Sequence, residues 1–169
     1  MKPSLTVTLC TRCGLCCDGS LFADVELIGQ AEATRLEILG LEIEDHDADG
    51  ELLLQPCAAL QGRRCGIYPH RPKCCRTFEC QLLQDVRRGA VTVVRAADEI
   101  AEALRRIRRV KALLAKLGQR DVRLPLKERC AEALAGEAAA TREVNRNRAE
   151  LAVAMSAVER SIRKTFLSR

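Results

Sequence analysis

The sequence has no tryptophan, one tyrosine and three phenylalanines, so aromatic residues make up 2% of it. A core with so few rings must be built from Leu, Ile, Val and Ala, which points to packed helices. The opening Met1-Lys2-Pro3-Ser4-Leu5-Thr6 lacks an apolar run of signal-peptide length, and no segment approaches the length needed to span a bilayer. A cytoplasmic protein with no membrane partner is therefore expected. Also missing are a Gly-rich phosphate loop, a Ser/His/Asp ordering and a paired catalytic carboxylate. Glu26, Glu32 and Glu37 read as the polar face of a helix. An enzyme reading has nothing but a metal to rest on.

What the chain does have is ten cysteines in 169 residues. In a secreted chain these would suggest disulfides, whereas in the cytoplasm clustered thiols more often hold metal. One group reads Cys10-Thr11-Arg12-Cys13-Gly14-Leu15-Cys16-Cys17, and the other comprises Cys57, Cys65, Cys74, Cys75 and Cys80. Two thiols separated by two residues can hold one ion, because a tight turn brings both sulfurs to the same side; Gly14 helps that turn close. Adjacent thiols such as Cys16 and Cys17 point apart and do not readily serve one tetrahedral ion. Either two metal centres share this loop or one polynuclear cluster does. The C-x2-C-x2-C spacing resembles three ligands of a bacterial ferredoxin run, which favours iron and sulfide. The fourth ligand of that run is missing, and two sets of four thiolates would equally satisfy zinc. A reversible thiol/disulfide system is the remaining alternative.

The formal net charge is +5, but eight metal-bound thiolates would contribute roughly −4 after the metal charge is counted. What remains is asymmetry, since residues 95 to 129 carry eleven Lys or Arg against five Asp or Glu. Arg105, Arg106, Arg108, Arg109 and Lys111 offer a nucleic acid some grip within residues 105–111. They turn around the helix, however, and stacking aromatics are absent, which argues against that partner.

Along the chain, Ser4 to Leu9 is β-branched and reads as a strand delivering Cys10. A helical period runs from Asp24 to Leu39 and closes at Gly40, while Asp45 to Gly50 is a polar turn. Leu52-Leu53-Leu54 reads as a buried strand leading to Cys57. Between Cys57 and Cys80 the chain is broken by Gly62, Gly66, Pro69 and Pro72 and has few core positions, so it needs a bound metal to fix it. Leu82 to Arg88 is a short helix stopped by Gly89. Ile100, Leu104, Ile107, Val110, Leu114 and Leu117 form one helical stripe over residues 96 to 117. The tail, residues 126 to 167, carries Leu126, Cys130 and Leu134 on one stripe and Val144, Leu151, Ala154, Val158 and Ile162 on another. Its spacing suits helix-on-helix packing, either back on residues 96 to 117 or, as a homodimer, on a second copy through the C-terminal helices.

The pattern Cys10-x2-Cys13-Gly14-x-Cys16-Cys17, then Cys57-x2-Leu60, then Cys65-x-Ile67-Tyr68-x2-Arg71-Pro72-x2-Cys75-Arg76-x-Phe78-x-Cys80, resembles the YkgJ-type cysteine cluster family, also called CxxCxxCC. That family is described as zinc- or iron-chelating and is often labelled an iron–sulfur oxidoreductase. The resemblance covers about residues 5 to 95. It implies Cys10, Cys13, Cys16, Cys17, Cys57, Cys65, Cys75 and Cys80 as ligands, with an iron–sulfur cluster or zinc as cofactor and a redox or protein partner. Cys74 falls at a variable position of the pattern and Cys130 outside it.

Arg71 and Arg76 flank Cys75, where a guanidinium can donate to thiolate or sulfide and offset its charge. Pro72 would fix the approach to Cys75, with Tyr68 and Phe78 covering the site. His70 and His46 read as solvated loop residues, Asp18 as a turn residue and Cys130 as a small core residue. The fold expected is mainly α with a few short strands: a compact Cys-rich metal-binding module at 1–90, then a long helical hairpin or coiled-coil-like tail at 91–169. Its expected function is metal binding through zinc or iron–sulfur centres. The alternative is a zinc-stabilised interaction module that binds a protein or nucleic acid through its basic helices.

Overall fold

A computed structural model describes residues 5–46, 50–136 and 141–167. The protein is mainly helical with a few short strands, and it divides into two compact units. The first comprises Met1–Glu79 with Arg123–Pro125, and the second Cys80–Val122 with Leu126–Arg169.

The first unit opens with α1 (Leu5–Cys13), where the sequence had suggested a strand. Thr6, Val7 and Thr8 favour extended chain by side-chain stiffness alone. The helix prevails because Leu9 is buried by tertiary packing, and the Thr11 hydroxyl donates back to the Val7 carbonyl. Next, β1 (Asp24–Glu26) takes the first residues of the expected helix, leaving α2 as Gln30–Ile38. The break lies at Gly29, whose φ of 74° belongs to the left-handed region that glycine tolerates best. The turn expected at Asp45 to Gly50 is in part strand: β2 (Ile43–His46) and β3 (Gly50–Leu54) pair antiparallel, and residues 47–49 lie outside the described residues. The Leu52–Leu54 strand is as expected. It is central in the order β1-β3-β2, with Val25 and Ile43 both opposite Leu53. Leu53 packs with Leu27, Ala33, Leu36 and Leu41 in a small buried core. Cys57, Ile67 and Cys74 lie against that core.

The Gly- and Pro-punctuated stretch is ordered into short pieces. It forms a hairpin of β4 (Leu60–Gln61) and β5 (Arg64–Cys65), a 3₁₀ turn at Tyr68–His70 and α3 (Lys73–Thr77). Pro72 is fully buried at the N-cap of α3.

In the second unit α4 (Gln81–Arg87) precedes α5 (Val93–Lys116), α6 (Leu126–Ala135) and α7 (Arg142–Thr165). The hydroxyls of Thr92 and Thr141 cap α5 and α7 by accepting from Arg95 N–H and Val144 N–H. Ile100, Ile107, Val110 and Leu114 of α5 are buried with Leu151, Met155, Val158 and Ile162 of α7. α7 lies along α5 in the same chain, the first of the two arrangements expected for the tail, and α6 packs on both. Of the α6 stripe, Leu126 and Cys130 are buried, but Leu134 is exposed. No helix among the described residues is long and apolar enough to cross a membrane.

Candidate metal centre

The first cysteine loop is shaped by the end of α1. Gly14 takes a φ of 72° and its N–H donates to the Cys10 carbonyl at 3.1 Å, closing the helix. The Gly14 carbonyl then accepts from Cys17 N–H at 3.0 Å and Asp18 N–H at 3.1 Å, folding the chain back. A Cβ on Gly14 would sit 3.3 Å from the Cα of Arg63, in the β4–β5 turn. Arg63 Nη1 donates to the Arg12 carbonyl at 3.0 Å, so that hairpin is tied to the loop. Leu15, fully buried, anchors the loop from within. Cys10 is exposed on α1, whereas Cys13, Cys16 and Cys17 are half-buried.

Cys57 is joined to this loop directly. Its N–H donates both to the Cys17 carbonyl at 2.9 Å and to Oε1 of the buried Gln55 at 3.1 Å. The Gln55–Pro56 peptide is cis. Cys65 lies on β5, opposite Leu60, and β5 packs against α1. Cys74 and Cys75 sit on α3, whose first N–H, from Lys73, is held by Glu32 Oε1 at 2.9 Å.

Several of these thiols act on one another. Burial pushes the Cys17 thiol up to about 12, helped by the fields of Cys57, Cys65 and Asp18 and opposed by Arg71. The Cys75 thiol is raised by its hydrogen bond with Cys74, then by burial and by the fields of Cys74, Cys17 and Cys57. The same hydrogen bond lowers Cys74. Cys57 is raised by burial, and Cys65 adds to the rise. Cys17, from the first group, thus shares one neighbourhood with Cys57, Cys65 and Cys75 from the second. A metal ion entering here must displace protons, because thiolates and not thiols bind it.

Arg71 lies half-buried beside these thiols. Its Nε donates to the Tyr68 carbonyl at 3.1 Å and its Nη1 to the Cys75 carbonyl at 3.4 Å, while the guanidinium stands 3.7 Å from the centre of the Tyr68 ring. Arg76, by contrast, is exposed on α3. Phe78 meets Phe22 edge-on at 5.2 Å. His70 is exposed, and Asp18 Oδ1 accepts from Ser20 N–H at 3.0 Å in turn fashion. Cys80 is the N-cap of α4 and opens the second unit. Cys130 is buried in α6, where burial pushes its thiol up to about 11. Of the basic residues on α5, Arg105 and Arg106 are both engaged by Glu102.

Glu32 reads from sequence as part of a helix's polar face, but the structure gives it a positioning role. Glu32 accepts from Ile28 N–H at 3.0 Å and from Lys73 N–H at 2.9 Å, fixing both the start of α2 and the start of the cysteine-bearing α3. Its place three residues after the N-cap Gly29 was the available signal, since glutamate there reaches back to the preceding N–H groups.

The donor set fits zinc or iron in kind: sulfur ligands, half-buried, drawn from segments distant in sequence. All ten cysteines are thiols without a disulfide. Among the described residues no three His, Cys, Asp or Glu side chains form a ready-made metal cluster.

Thiols drawn from two cysteine groups on one small unit mark a cysteine-cluster metal-chelating protein. The chain belongs to the CxxCxxCC family, described as "Putative zinc- or iron-chelating domain", whose model matches residues 9–105. No curated protein and no solved structure matches the chain.

Proposed function

We propose that the first unit chelates zinc or iron through the thiolates of Cys17, Cys57, Cys65 and Cys75, an iron–sulfur redox centre being the finer form of this activity. The observation that supports it is that Cys17 feels or acts on three cysteines forty or more residues away, and is tied to one of them by the hydrogen bond from Cys57 N–H to the Cys17 carbonyl. Cys10, Cys13 and Cys16, on α1 and the same loop, are the further donors for a second ion or a polynuclear cluster. Iron with sulfide supplies one-electron transfer, whereas zinc supplies a structural cross-link. In either form the chain's part is to hold half-buried sulfur donors beside a small apolar core that leaves much of the fixing to the metal.

Anaerobic purification followed by metal and acid-labile sulfide analysis tests this. Iron with matching sulfide supports the redox form. Zinc without sulfide retains chelation and removes electron transfer. A protein that takes up neither metal, even on reconstitution, overturns the reading.

A further inference from the structure

We propose that Arg71 is a positioning residue that supplies a fixed counter-charge to the thiolate centre, with Tyr68 as its seat. This rests on the chelation reading above and adds the means by which the site accepts its charge. Arg71 is half-buried, and its hydrogen bonds go to two backbone carbonyls, those of Tyr68 and Cys75. Among the described residues it has no carboxylate partner, unlike Arg35, Arg88, Arg95, Arg105 and Arg106, each of which has one. A half-buried cation without an anion is costly, and it makes sense if an anion arrives. Four thiolates around a divalent ion supply one, because their charges sum to about −2.

The geometry meets that need. The two carbonyl bonds and the Tyr68 ring hold the guanidinium in one orientation, which leaves part of its five-donor fork available to sulfur. Its charge already acts on Cys17, in the other cysteine group, while its Nη1 grips the backbone of Cys75. Arg71 therefore bears on both halves of the ligand set. Arg76 is exposed, and the field of Asp18 at Cys17 has the opposite sign, so neither can take this part.

The test is zinc affinity of the full chain by chelator competition, with the melting temperature of the metal-free protein measured beside it. Arg71→Met is expected to bind zinc about 10- to 100-fold more weakly, the usual cost of losing a partner outside the ligand shell. Arg71→Lys restores the charge without the planar fork and is expected to recover most of that loss. Tyr68→Leu keeps the charge but removes its seat, and is expected to weaken binding less than Arg71→Met does. Arg71→Met binding zinc as tightly as the unaltered protein overturns the inference and leaves chelation standing. So does equal weakness of Arg71→Met and Arg71→Lys with a parallel fall in metal-free melting, which would make Arg71 a backbone tether. An unaltered protein that binds neither zinc nor iron overturns the chelation reading and this inference together.

Discussion

Glu32 and Lys73 stand 41 positions apart in the chain, yet a carboxylate oxygen of the first accepts the backbone N–H of the second at 2.9 Å. The other oxygen takes Ile28 N–H at 3.0 Å, so a single side chain holds the chain just before α2 and the first N–H of α3, which bears Cys74 and Cys75. Glu32→Ala should therefore cost about 1–2 kcal/mol of stability, the range for losing a helix cap. Glu32→Gln, which keeps an acceptor, should cost less. Denaturant unfolding of the metal-free chain measures both.

Cys17, in the first group, is raised by burial and by the fields of Cys57 and Cys65, and its own field acts on Cys75. Cys17→Ser should lower the bound metal per chain, whereas Cys130→Ser, in buried α6, should leave it unchanged. Metal analysis after identical anaerobic purification decides between them, and equal metal in the two variants would remove Cys17 from the ligand set.

Gly14 is fixed by two independent constraints. Its φ of 72° strains any side chain, and a Cβ there would press on the Arg63 backbone at 3.3 Å. Gly14→Ala should cost about 1–3 kcal/mol, as expected for a residue forced into the left-handed region. It should also weaken metal binding, because the same turn carries Cys16 and Cys17. Gly62→Ala shares the positive φ without a close neighbour and should cost less in the same unfolding measurement.

Stability should fall in alkali through Cys130. Burial raises its thiol from the ordinary 9.0 to about 11, with Glu159 adding to the rise and Arg129 opposing it. Above pH 9 the unfolded chain releases this proton while the folded chain keeps it, so the unfolded state binds fewer protons and stability declines as pH rises towards 11. Below that window the contribution is complete. Cys130→Ala should flatten the decline, which pH-dependent denaturant midpoints of the two proteins will show.

Long periodic segments were legible from sequence. The stripes of α5 and α7 repeat over 24 residues each, and apolar spacing of that length fits one structure. Short segments were not. Thr6, Val7 and Thr8 looked like strand until Leu9 was buried, and the first residues of the expected Asp24–Leu39 helix pair with β3. In such stretches local preference amounts to a few tenths of a kcal/mol per residue, which one buried leucine outweighs.

The ten cysteines, their spacing and the family they mark were present in the sequence itself, because thiol chemistry does not depend on folding to be recognised. Spacing could not say which sulfurs meet, nor that Arg71 rather than Arg76 lies against them, nor that Glu32 holds α3. Most of those relations, such as Cys17 with Cys57 and Glu32 with Lys73, join residues forty or more positions apart. Only the closing of the chain around Leu36 and Leu53 brings such residues together, so tertiary packing decided them.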